Sequence, residues 1–133
     1  MTNNRSKMSL EERYQHFSLL LLHWVEALYL NHRVSEFFLE EGYHNIAIYG
    51  MGDLANRLLD DLRDSEISVV YGIDRDVAVT CSRIQDIYSL NDELPRVDAI
   101  IVTPFYAFDS ICNELKNKID AKIISIEEVI WSL

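Results

Sequence analysis

The 133-residue chain sets 12 Lys and Arg against 22 Asp and Glu, a net charge of −10, and 49% of its residues are hydrophobic. That length and apolar share fit one packed domain, or one domain with an appendage, and argue against disorder. The acid excess argues against a nucleic-acid backbone or an anionic membrane surface as partner, but not against a nucleotide, because helix N–H groups hold phosphate without Lys or Arg.

The first eight residues are polar. Ser9-Leu10-Glu11-Glu12 has the form of a capping box, so a helix begins there. Leu10, Tyr14, Phe17, Leu21, Trp24, Val25 and Leu28 recur at helical spacing, and Leu20, Leu22 and Tyr29 add apolar surface off that stripe. A helix apolar on more than one side has one side for the domain and another for a second copy or another protein. His23 and Glu26 interrupt the longest apolar run, residues 17–30, so no membrane span is expected, and with Glu11 and Glu12 before it the run is not read as a signal peptide. A short second helix, residues 35–41, stops at Gly42.

Residues 46–49 form a first strand, 53–62 a helix, and 67–73 a second strand closed by Asp74. Residues 84–88 alternate apolar and polar, as an edge strand does, and residues 89–94 hold at most one or two helical turns. The near-continuous apolar run 97–102 fits a parallel strand covered on both faces, Thr103-Pro104 ends it, and a helix follows over 106–118. A last strand spans 121–124, and Ser125-Ile126-Glu127-Glu128 opens a C-terminal helix with a second capping box. The acidic residues Asp60, Asp61, Asp64 and Glu66 fall at a helix end and are expected to face solvent. The two cysteines, Cys81 and Cys112, fit no C-x-x-C or metal pattern and read as reduced thiols of a cytosolic protein.

Strands alternating with helices define an α/β fold: a Rossmann-like parallel sheet of about five strands in order 3-2-1-4-5, helices on both faces, right-handed crossovers, and an N-terminal helical appendage. The expected division is residues 1–42 for the appendage and 43–133 for the nucleotide-binding-type domain.

Between the first strand and its helix lies G-x-G-x-x-A, formed by Gly50, Gly52 and Ala55. Gly50 allows the tight turn, Gly52 lets a phosphate approach bare backbone, and Ala55 lets the helix pack close to the strand. Asp74, at the end of the second strand, stands where such units carry an acid for ribose hydroxyls, roughly 20 residues on. The switch point between strands one and four gathers Gly50, Met51, Gly52, Asp53, Leu54, Asp74, Arg75, Thr103 and Pro104 as candidate ligand-binding residues. Asp53 capping the helix would weaken an anion site, and Arg75 reaching a phosphate would offset that. Phe105 and Tyr106 are candidates to stack on a base, with core packing as the alternative.

From about residue 35 to 133, through EEGYHNIAIYGMGDLANRLLDDL, VVYGIDRD, VDAIIVTP and IISIEEVI, the chain resembles a Rossmann-like module of bacterial surface-polysaccharide and sugar-nucleotide gene clusters. It is also similar to the N-terminal domain of UDP-sugar acyltransferases and to the binding half of nucleoside-diphosphate-sugar epimerases and dehydratases. The resemblance implies phosphate at Gly50 and Gly52 and a ribose or sugar hydroxyl at Asp74, with NAD(P) or a UDP-sugar as the ligand. It covers the long first helix poorly. It departs from those enzymes in two ways: none of the seven tyrosines is followed by Lys four residues on, as a Tyr-x-x-x-Lys pair requires, and hexapeptide repeats are absent.

No catalytic constellation is found. The four histidines include His16 and His23, seven apart on one helix and without a carboxylate at ligand spacing, so no metal site is assigned. There is no G-x-S-x-G elbow and no P-loop. The expected function is therefore a cytoplasmic binding module for a nucleotide or nucleotide-sugar, homodimeric through its first helix and acting with a partner glycosyltransferase or sugar-modifying enzyme. The alternatives are a minimal NAD-dependent oxidoreductase or sugar-nucleotide-modifying enzyme, and a degenerate, non-binding Rossmann domain used for interaction or dimerisation.

Overall fold

Apolar strands without polar alternation need cover on both faces. The computed structural model describes residues 8–76 and 83–133, and it places two such strands at the centre of a parallel sheet. These are β1 (Asn45–Tyr49) and β4 (Ala99–Val102), paired from Ile46 opposite Ala99 to Tyr49 opposite Val102. β2 (Ser68–Ile73) and β3 (Ile87–Tyr88) lie to one side and β5 (Lys122–Ser125) to the other, giving the order β3-β2-β1-β4-β5. The sheet is the five-stranded α/β arrangement expected from the alternation of elements. The β1–β2 register shifts between Ile46 and Ala47, skipping Val70. Val70 is accordingly exposed, and its neighbours Val69 and Tyr71 pack on opposite faces of the sheet.

One face is covered by α1 (Leu10–Tyr29), α2 (Val34–Glu41), α3 (Asp53–Leu62) and α5 (Ile126–Trp131), which pack with Ile46, Ile48 and Ile101. The other is covered by α4 (Phe108–Leu115), whose Ile111 and Leu115 meet Ile100 and Val102. Ser9 and Glu12 form the expected reciprocal capping box on α1, and Gly42 ends α2 at φ +79°. At α5, Ser125 Oγ caps the helix by accepting from Glu127 N–H and not from Glu128 N–H, so a simple N-cap stands in place of the expected capping box.

Other departures are local. The edge strand is confined to Ile87–Tyr88, and residues 89–92 make a hydrogen-bonded turn instead of helix, with Ser89 N–H donating to Asp92 Oδ2 at 2.8 Å. Pro104 has no N–H to donate, and the chain after it first forms a 3₁₀ turn, Phe105–Ala107, so the α-helix starts two residues later than expected and ends at Leu115. Cys81 lies outside the described residues, and Cys112 is a half-buried free thiol.

The acidic cluster after α3 does not all face solvent, because Asp61 is buried, only 3% exposed. Its carboxylate accepts from Trp24 Nε1 at 2.7 Å, Arg33 Nε at 2.9 Å and Val34 N–H at 3.2 Å. One side chain of α3 thus binds α1, the α1–α2 junction and the start of α2, and a carboxylate with three donors is stable out of water. This pairing also decides which side of α1 faces inward. Leu20, Trp24 and Ala27 are buried, whereas most of the stripe read from the sequence, including Leu10, Tyr14, Val25 and Leu28, is exposed. None of the described helices is long and apolar enough to cross a membrane.

Candidate functional site

The β1–α3 turn is built by two glycines with different reasons to be glycine. Gly50 has φ +94°, and a Cβ there would stand 2.5 Å from Thr103 Oγ1 and 2.8 Å from Pro104 Cδ. Both the backbone and the packing against the end of β4 exclude a side chain. Gly50 N–H donates to Ile73 O at 2.8 Å, and Thr103 Oγ1 donates to Tyr49 O at 2.9 Å and Gly50 O at 3.1 Å. Thr103 is thereby buried and committed to holding the turn.

Gly52 is different. Its backbone is extended (φ −125°, ψ −154°), a conformation open to any residue, and a Cβ there would meet nothing within 4 Å. It is the N-cap of α3, and no side chain caps that helix. Asp53 is the first helical residue and does not supply the cap, so it does not weaken an anion site in the way expected. Its carboxylate still stands beside the N–H groups of the first turn, which have no intrahelical acceptor.

Asp74 ties the turn to the end of β2. Its Oδ2 accepts from Met51 N–H at 2.9 Å and its Oδ1 from Asp76 N–H at 3.0 Å. Each carboxylate oxygen keeps a second lone pair, so the group can still accept from a hydroxyl in the crevice. The Met51 side chain is buried over β2, where a Cβ on Gly72 would stand 2.5 Å from its Sδ. Gly72 is a residue the sequence reading passed over. A glycine inside an apolar strand was its one signal, and that signal marks close approach by a neighbour.

These segments open into a cavity of about 500 Å³, within the range of small-molecule sites. Gly50, Met51, Gly52, Asp53 and Leu54 line one side, with Asp74 beside them and Thr103-Pro104 across the switch point. Arg75 does not join them. It turns to the opposite face of the sheet, where its Nε donates to Tyr49 OH at 3.3 Å and its Nη2 to Glu114 on α4 at 3.1 Å. These two partners hold the guanidinium more firmly protonated than usual, Tyr49 foremost.

The remaining wall comes from α1, which no motif assigned to the site. Leu10, Arg13, Tyr14 and Phe17 face the glycine turn across the cavity, with Phe105 and Tyr106 between. The Arg13 guanidinium lies over the Tyr106 ring, 4.2 Å from its centroid, so the ring and the cation form one surface. The cavity therefore offers uncapped N–H groups, one arginine, an acid with spare acceptor capacity and several aromatic faces. Two of the four histidines meet α5: His16 Nδ1 lies 3.1 Å from Glu127, with its ring stacked on Phe105, and His23 packs on Trp131.

Compared with protein-family models, curated proteins and solved structures, the chain matches none of them.

Proposed function

We propose that this protein is a cytoplasmic binding module for a nucleotide or nucleotide-sugar, with the ligand in the crevice between β1 and β4 and its phosphate at the start of α3. The observation that carries the reading is Gly52. Neither its φ nor its packing calls for glycine, yet it leaves a helix start uncapped where it opens on a cavity of about 500 Å³. A Ser, Thr, Asp or Asn would cap the helix as well or better, so the bare position favours an outside acceptor for those N–H groups. In this reading Asp74 accepts from a ribose or sugar hydroxyl, and the Arg13–Tyr106 surface takes a base or a second phosphate. The chemistry then belongs to a partner, such as a glycosyltransferase or sugar-modifying enzyme of polysaccharide synthesis.

The test is a thermal-shift and calorimetric panel of NAD, NADP, UDP-sugars, CoA and AMP. A ligand present at 100 times its Kd stabilises the folded chain by about 2.7 kcal/mol. That shift should vanish in Gly52→Asp, which fills the cradle with a negative charge, and shrink in Asp74→Ala. If no member of the panel shifts the wild-type transition, the reading is wrong. A crevice kept only as scaffold is then the better account, and the Asp53 carboxylate at the helix start is the feature that favours it.

A further inference from the structure

Among the described residues, seven of the eleven large hydrophobic side chains left exposed belong to α1. Leu10, Tyr14, Leu22, Val25, Leu28 and Tyr29 lie along one side of a helix roughly 30 Å long, at exposures from 40% for Leu28 to 81% for Tyr29. Such a stripe is wider than isolated surface leucines account for. Beside it a second cavity of about 370 Å³ lies between Leu21, Val25 and Leu28 of α1 and Arg57 and Asp60 of α3.

We infer that this face pairs with the same face of a second copy, α1 against α1 in antiparallel orientation. Two observations select a second copy as the occupant. The first is area: at those exposures the six side chains present roughly 700 Å² per copy, so a pair buries up to roughly 1,400 Å², within the standard range for a stable specific interface. The second is self-complementarity. A two-fold axis over residues 18–22 sets Tyr14 against the partner's Val25 and Leu10 against the partner's Tyr29, and the small, exposed Ser18 leaves room for the partner's Leu22. Antiparallel pairing also opposes the two helix dipoles. Because Leu10 and Tyr14 belong to the crevice wall as well, the partner's Tyr29 stands at its rim. The pairing itself does not depend on the crevice holding a ligand.

The experiment is sedimentation equilibrium of the full chain without ligand. Twice the 15.5 kDa chain mass is expected at micromolar concentration. The pair Leu22→Glu and Val25→Glu should raise the dissociation constant on the order of 100-fold or more while leaving the circular dichroism spectrum unchanged, since both positions are exposed. With both native cysteines changed to serine, Leu10→Cys mixed with Tyr29→Cys should be joined by a short bismaleimide, and Tyr29→Cys should not be joined to itself. A monomer at ~100 µM, well above the range of specific dimers, or a dimer indifferent to the two glutamates, overturns the interface. Self-linking of Tyr29→Cys overturns the antiparallel orientation.

Discussion

Gly50 and Gly52 stand two residues apart in one turn, and substitutions should separate what the fold needs from what a ligand needs. Gly50→Ala puts a Cβ on a residue at φ +94°, a left-handed backbone that costs an ordinary residue about 1–2 kcal/mol. The same Cβ falls 2.5 Å from Thr103 Oγ1 and 2.8 Å from Pro104 Cδ. The hydroxyl cannot retreat freely, since it holds the carbonyls of Tyr49 and Gly50, and overpacking of this kind costs about 1–3 kcal/mol. A total of about 2–5 kcal/mol is expected, a large part of the 5–15 kcal/mol typical of a domain. Gly52→Ser meets none of this and gains a capping hydroxyl, so its stability should lie within about 0.5 kcal/mol of wild type or above it. Urea unfolding followed by the fluorescence of the two tryptophans measures both, with the m-value checked for a two-state comparison. Ligand binding should be lost in Gly52→Ser despite the intact fold, because the serine oxygen occupies the N–H groups a phosphate would use. A destabilisation of Gly52→Ser above ~1 kcal/mol, the full worth of a typical cap, would show that the glycine serves the fold, and the functional argument would lose its main support.

Three further outcomes are expected. Asp61→Ala should cost about 2–4 kcal/mol, because it orphans the buried Trp24 Nε1–H and the Val34 N–H while the half-exposed Arg33 turns to water. A loss below ~1 kcal/mol in urea unfolding, the worth of a single ordinary hydrogen bond, would show that the network is not what fixes α1. Burial, helped by the neighbouring Tyr88, pushes the Tyr71 phenol from 10.0 up to about 12. Folding then favours the neutral phenol, so its contribution is fully present below pH 10.0 and is lost as the pH rises towards about 12. Tyr71→Phe should lose about 1 kcal/mol at neutral pH with the hydrogen bond to Pro95 O, and should flatten the alkaline decline; parallel declines in the two proteins would assign that decline to other groups. Finally, two copies of net charge −10 repel, so salt should tighten the α1 dimer, and a dimer that weakens on going from about 0.05 to 0.5 M NaCl would be held by ion pairs and not by the apolar stripe.

The strands and their order were legible because apolar runs and glycine turns are local signals and parallel crossovers allow few arrangements. Asp61 was not legible. Its neighbours Asp60 and Asp64 are exposed, and nothing in an acidic helix end says that one carboxylate will find an indole N–H and a guanidinium from residues far away in the chain. The inward side of α1 was ambiguous for the same reason. Two apolar sides compete in the sequence, and Trp24 settles the matter by bringing Leu20 and Ala27 inward with it. The direction of Arg75 could not be read either, since a residue just past a strand end can turn to either face of the sheet, and Tyr49 OH and Glu114 lie on the far one.

Asp74 shows how far a motif argument reaches. The pattern placed an acid at the end of the second strand, and an acid stands there at the crevice wall. That acid also accepts from Met51 N–H, so it organises the glycine turn itself. A carboxylate that both shapes the cradle and offers lone pairs to a hydroxyl couples the two tasks: Asp74→Asn, which keeps an acceptor for Met51 N–H but loses the charge, should preserve the turn better than Asp74→Ala and still weaken a diol ligand. Equal loss of binding in the two variants, with the turn disordered in both by amide exchange at Met51, would mean that the charge matters to the loop alone and that the hydroxyl contact plays no part.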